Sequence, residues 1–245
     1  VSEPAIIHES DAVLAVDKPH GWLTIPGRQG EADPRPVLVR ELASRAGGKL
    51  WIVHRLDREV SGLVLFAKTA EAHRTLCGWF ERHEVRKRYE AWTQGTPPTE
   101  GETVWEGWLI QGRRRTHETR EPGKGKWART IARFEGTGIH AGARLLRFAL
   151  LPETGRTHQL RCQAASRGFP IAGDVLYGST VAWLPDAIAL RAVRLEFPRA
   201  TDQVLVRLDL PRALVIPEPC VEEQSDAVRK RERHEEATRR RNGAK

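Results

Sequence analysis

The 245-residue chain predicts an α+β fold: a mixed, mainly antiparallel sheet carrying flanking helices and loops. Short apolar and β-branched runs recur between turn residues from Ala5 to Leu210, which is strand patterning. Three segments carry apolar residues at helical spacing instead. A hydrophobic content of 40% with 15 prolines spread along the chain fits a loop-rich globular protein. The length suits one large domain, which we assign to residues 1–220. Residues 221–245 hold eight basic and six acidic side chains and almost no apolar face, so they read as a helical or disordered charged tail.

In chain order, Ala5 to Val16 divides into two strand pieces at a Glu-Ser-Asp turn, and Lys18-Pro19-His20-Gly21 is a tight turn at the strand end. Trp22 to Glu31 reads as an exposed loop. Pro36 to Ala46 places Val37, Leu38, Leu42 and Ala46 on one helical face, with Pro36 in the first turn. Leu50 to Val53 and Leu63 to Phe66 are buried apolar segments. Ala70 to His83 is amphipathic, with Ala72, Leu76, Trp79 and Phe80 on one side. Arg86 to Trp92 alternates as a strand does, and Tyr89 lies within it.

Gly112 to Lys126 is polar, basic and without hydrophobic period, so it reads as a surface loop or hairpin tip. Arg113, Arg114 and Arg115 lead a positive set there that is a candidate phosphate contact. Strands are expected at Ala128 to Phe134 and Arg144 to Leu151. Thr157 is placed to cap a helix from His158 to Arg167 that ends at Gly168. Pro170, Gly173 and Gly178 break the following stretch into turns. Further strands are expected at Ile188 to Phe197 and Gln203 to Leu210.

The net charge of +8 and pI near 9.9 point to an anionic partner: RNA, DNA or acidic lipid. No stretch approaches the roughly 20 apolar residues of a membrane span, and the start lacks the basic-then-apolar plan of a signal peptide. The expectation is a cytoplasmic chain without membrane contact. Cys77, Cys162 and Cys220 are odd in number and far apart, and no histidines stand at ligand spacing, so reduced thiols and no metal are expected. Nothing requires an obligatory protein partner or more than a monomer.

One stretch, Val53 to Lys68, sets the charged cluster His54, Arg55, Asp57, Arg58 and Glu59 between the two apolar segments. A carboxylate held between rigid walls must be paired, because burying it alone costs several kcal/mol. Composition and spacing alone make Asp57 a structural cap or ion-pair partner before a reactive group.

His54-Arg55-Leu56-Asp57 with Ser61-Gly62-Leu63 and Phe66-Ala67-Lys68 resembles the signature of the RluA-type pseudouridine synthases. The similarity continues in Lys18-Pro19-x-Gly21, Lys87-x-Tyr89, Thr154 to Arg161, Gly173-Asp174 and Leu176-Tyr177-Gly178, in family order over residues 5–210. Val60, Cys162-Gln163 and Arg191 depart from the pattern at supporting positions, and the likeness is to a compact member without the N-terminal RNA-binding module.

The resemblance implies a pseudouridine synthase-type catalytic domain that isomerises uridine in structured RNA, tRNA or rRNA, without a cofactor. It makes Asp57 the catalytic aspartate, Tyr89 the aromatic stacked on the uracil and Arg156 the cation paired with Asp57. Leu160 would close the other side of the base pocket, and Arg55 would enter the RNA stack. His54 and Lys18 are further candidates for RNA or uracil binding. A non-catalytic RNA-binding or RNA-folding protein that keeps the pocket is the alternative. Asp57 would either attack the anomeric carbon or take a neighbouring ribose proton.

Overall fold

The structure, a computed structural model, describes residues 2–27, 30, 33–46, 48–198, 207–210 and 214–215. Its strands are β1 (Ala5–Glu9), β2 (Val13–Lys18), β3 (Trp51–Ile52), β4 (Ser61–Ala67), β5 (Arg86–Thr93), β6 (Glu102–Gln111), β7 (Thr116–Thr119), β8 (Lys126–His140), β9 (Ala143–Pro152), β10 (Leu190–Glu196) and β11 (Arg207–Asp209). Among them run helices α1 (Leu38–Ala46), α2 (Ala70–Glu81) and α3 (Gln159–Ser166), and a 3-10 turn over Val175–Tyr177. The tail expected at 221–245 lies outside the described residues.

Among the described residues the strands form one sheet in the order β1-β2-β4-β10-β5-β9-β8-β6-β7, with β3 against β4 and β11 against β10. Only the β4–β10 pair is parallel within that described set, so the sheet is mixed and mainly antiparallel, as the sequence predicts. Alternation along β4 builds two cores. Leu63, Leu65 and Ala67 pack with Val13, Ala15 and the α2 residues Leu76 and Trp79. Val64 and Phe66 pack on the other side with Leu14, Val16, Leu38, Leu42 and Leu160. Successive strand residues point to opposite faces, so a strand apolar at every position must be covered on both.

Thr69 opens α2 as an N-cap, its side chain accepting the Ala72 N–H at 3.2 Å. The apolar stripe of α2 is thus core, as its spacing indicates. The segment 112–126 differs from expectation. Thr116–Thr119 forms β7, paired with β6 from Trp108 to Gln111, and only the turns on either side are irregular. Polar Thr and His residues carry no hydrophobic signal, yet Thr116 is buried because β7 lies on α3. Strand β6 also went unpredicted, since its outward face interrupts the apolar pattern.

The junction of β4 with β10 positions the loop that precedes β4. Gly62 has φ +117°, and a Cβ there would stand 2.1 Å from the Ala192 carbonyl oxygen. Only glycine lets the two backbones approach this closely. Gly62→Ala should cost about 3 kcal/mol or more, from overpacking and backbone strain; urea unfolding of the purified variant checks it, and a loss below about 1 kcal/mol would mean that the junction tolerates a side chain.

Candidate active site

The loop from Val53 to Val60 has no regular secondary structure, so its shape comes from specific bonds. The Val60 N–H donates to the Asp57 carbonyl at 3.2 Å, closing a turn just before β4. The Arg58 carbonyl accepts the Gly21 N–H at 2.8 Å and the Lys18 ammonium at 3.3 Å. Lys18 is wholly buried, and its Nζ also donates to the carbonyls of Pro19 and Trp22, both at 2.9 Å. Burial pulls its pKa down to about 7, opposed by Glu59 and Asp57. Lys18 is therefore a clamp between the 18–22 turn and the Asp57 loop. The expectation that it contacts RNA is corrected, because all three donors of the ammonium are taken by carbonyls.

His54 is corrected too. Its Nε2 accepts the Leu65 N–H at 3.0 Å and its ring stacks on Phe80 at 4.8 Å, on the α2 side of β4. Burial, helped by Lys87, pushes its pKa down to about 3, so it is a neutral acceptor that satisfies an open backbone donor.

Arg55, Asp57, Tyr89, Arg156 and Leu160 do converge, around a cavity of about 200 Å³. Tyr89 comes from β5 and Leu160 from the first turn of α3. Burial, with the charge of Asp57, raises the Tyr89 pKa well above the phenol range, so it stays neutral. Lys87, two residues before Tyr89 and also in the lining, donates to the Thr154 carbonyl at 3.2 Å. Burial and then the charge of Arg156 pull its pKa down to about 8.

The cation paired with Asp57 is Arg161, where Arg156 was expected. Arg161 Nη1 donates to Asp57 Oδ2 at 3.2 Å and lies 3.5 Å from Glu59 Oε2. Its Nε and Nη2 grip Asp174 Oδ2 and Oδ1 at 2.7 and 2.9 Å, a planar bidentate pair in which the side chains are 5% and 1% exposed. Its guanidinium also lies 5.3 Å over the Tyr177 ring. Burial opposes the charge on Arg161, but the hydrogen bonds and charge of Asp174, with Asp57 and Glu59, outweigh it and raise the pKa further.

Arg156 precedes the helix, and its Nε donates to the Trp127 carbonyl at 3.0 Å, so it borders the cavity from the β8 side. The physical reason is helix phase. The N-cap of α3 is His158, at φ +52° in the left-handed region, and not Thr157. The turn there carries Arg161 to Asp57 and leaves Arg156 behind. Gln159 holds the turn, its Oε1 accepting the Arg156 N–H at 3.0 Å and the Thr154 hydroxyl at 2.7 Å.

Arg113, Arg114 and Arg115 are exposed and outside the cavity lining. They are nevertheless tied to it. Tyr177 Oη accepts the Thr116 N–H at 2.8 Å and lies 3.1 Å from His158 Nδ1, so the basic turn before β7 is anchored to a cavity residue.

A neutral aromatic, an aliphatic wall and a guanidinium-paired carboxylate line a small cavity that suits a flat ring. The mixed sheet is that of the pseudouridylate synthases. It superimposes on the human RNA pseudouridylate synthase domain containing 1 with a TM-score of 0.71 at 22% identity, covering 93% of this chain and 95% of that one. Residues 12–166 match the family model of RNA pseudouridylate synthases, and the chain belongs to that family. The "Dual-specificity RNA pseudouridine synthase RluA" of Vibrio vulnificus is 32% identical, over 84% of this chain and 82% of its own length. The "Uncharacterized RNA pseudouridine synthase YhcT" of Bacillus subtilis is 34% identical over 71% of this chain, which spans 57% of that protein.

Removing one member of a buried charge pair strands its partners, so Arg161→Met should cost about 3–5 kcal/mol of stability. Arg156→Leu, which loses one exposed hydrogen bond, should cost about 1 kcal/mol or less. Denaturant unfolding of the two variants checks the order, and a larger loss at Arg156 would put the principal pairing on the wrong arginine.

Proposed function

We propose that the protein is an RNA pseudouridine synthase that uses Asp57 to isomerise uridine in a structured tRNA or rRNA. The observation that carries this reading is the Asp57 carboxylate, 3.2 Å from a buried guanidinium, in one cavity with Tyr89 and Leu160.

Isomerisation breaks the bond from ribose C1′ to uracil N1, turns the base and joins C1′ to C5 without releasing it. Asp57 either attacks C1′ or takes the adjacent ribose proton. Arg161, gripped by Asp174, holds that carboxylate in place through both halves of the reaction. Tyr89 and Leu160 sandwich the detached ring, because stacking tolerates in-plane rotation. Uracil leaves as a delocalised anion, so the chemistry places no demand for a metal or an organic cofactor on these residues. A uridine must leave its stack to reach the cavity, at a cost of a few kcal/mol. Arg55, exposed at the rim, is positioned to fill the gap, and Arg113, Arg114 and Arg115 supply phosphate contacts.

Two experiments test the reading. Incubated with total RNA from a strain lacking the gene, the wild type should form pseudouridine, whereas Asp57→Asn should fall by about 1,000-fold or more, as expected for loss of the reacting group; no product from the wild type would end the proposal. Converting Arg113, Arg114 and Arg115 together to Gln should reduce the slope of log affinity against log salt by about 2. An unchanged slope, measured by filter binding, would remove that turn from the interface.

A further inference from the structure

His158 is a cavity residue to which the proposed chemistry has so far given no task. Its backbone sits at φ +52°, ψ 24°, a left-handed conformation that costs a non-glycine residue about 1–2 kcal/mol. As N-cap it makes no side-chain cap hydrogen bond, so the conformation does not serve to cap α3 with the ring. Instead the imidazole lines the cavity with its side chain 19% exposed, Nε2 3.7 Å from Asp57 Oδ2.

The tautomer is coupled to the Tyr177 hydroxyl. Its oxygen accepts the Thr116 N–H at 2.8 Å, and its O–H points to the Thr116 carbonyl at 3.3 Å. With the Tyr177 proton given to that carbonyl, His158 Nδ1, 3.1 Å from the same oxygen, is the donor. Nε2 is left with its lone pair facing the cavity. In this tautomer Nε2 and Asp57 Oδ2, 3.7 Å apart, both turn lone pairs to the cavity, which suits a substrate group bearing a proton. Burial favours the neutral ring, which Asp57 opposes.

We propose that His158 is the catalytic base that takes the proton from uracil C5 in the last step of the reaction, an assignment that rests on the function proposed above. Once C1′ has joined C5, that carbon carries both the ribose and a hydrogen, and the ring holds an N1=C6 double bond. Nε2 takes the C5 proton. The C5–H electron pair forms C5=C6, the N1=C6 π pair returns to N1, and N1 takes a proton from the imidazolium or from water. The net change moves one hydrogen from C5 to N1 and requires no oxidant, reductant or cofactor. Asp57 remains beside the new C1′–C5 bond, and Tyr177 holds the imidazole through the transfer.

RNA labelled with tritium at uridine C5 reads this step directly, because the tritium is released to water. RNA containing 5-fluorouridine reads the steps before it, since fluorine cannot leave C5 as a cation and the reaction stops after the C1′–C5 bond forms. Asn tolerates the left-handed region, so His158→Asn keeps the backbone and removes the base. The variant should consume 5-fluorouridine RNA within about threefold of wild type, while tritium release falls by about 100-fold, the usual contribution of a general base. His158→Gly, which also accepts this backbone, should recover tritium release when imidazole is added. Wild-type tritium release by His158→Asn, or equal losses in both assays without rescue by imidazole, would overturn the assignment. No release by the wild type would instead overturn the proposed function itself.

Discussion

The site depends on one guanidinium held between carboxylates on two sides. Arg161 is gripped edge-on by Asp174 and reaches Asp57 with its remaining nitrogen, with Glu59 beside it. Burying Arg161 and Asp174 this deeply, at 5% and 1% exposure, is expensive unless each charge is matched. The match ties the loop before β4, the helix α3 and the 3-10 turn at Val175–Tyr177 into one unit. A rigid arginine also gives Asp57 a defined orientation before any substrate arrives, the form of preorganisation that catalysis rewards.

The sheet delivers that loop to α3. Strand β4 is buried on both faces, so its register is firmly specified. The close parallel contact at Gly62 brings β10 and its cavity residue Leu190 alongside Asp57. Lys18 completes the arrangement from the other side. By satisfying the carbonyls of Pro19, Trp22 and Arg58 with one buried ammonium, it joins β2 to the loop without a regular ladder. The Lys-Pro-x-Gly segment thus braces the Asp57 loop from outside the cavity lining.

Much of this was legible in the chain itself. Alternation and apolar runs indicated β4, β5 and α2, and the motif blocks indicated Asp57, Tyr89 and Leu160. Facing directions were not legible. His54 stands in the same motif as Asp57 and Lys18 opens another block, but a motif does not say which way a side chain faces. Arg156 and Arg161 lie five residues apart in a single block, and only the left-handed turn at His158 decides which of them meets Asp57. One signal could have favoured Arg161: Asp174, in a segment of small turn residues, itself demanded a buried cation. Strand β7 was hidden for a different reason, since its burial comes from α3 and its polar residues show no periodicity.

The basic turn at Arg113–Arg115 and the cavity are linked through Thr116, Tyr177 and His158, so the phosphate contacts proposed for that turn would lie mechanically close to the cavity. The most direct measurement is a transcriptome-wide map of pseudouridine in cells with and without the gene. At least one uridine in a folded tRNA or rRNA should lose its modification in the deletion strain and regain it when the gene is restored. An unchanged map would contradict the account.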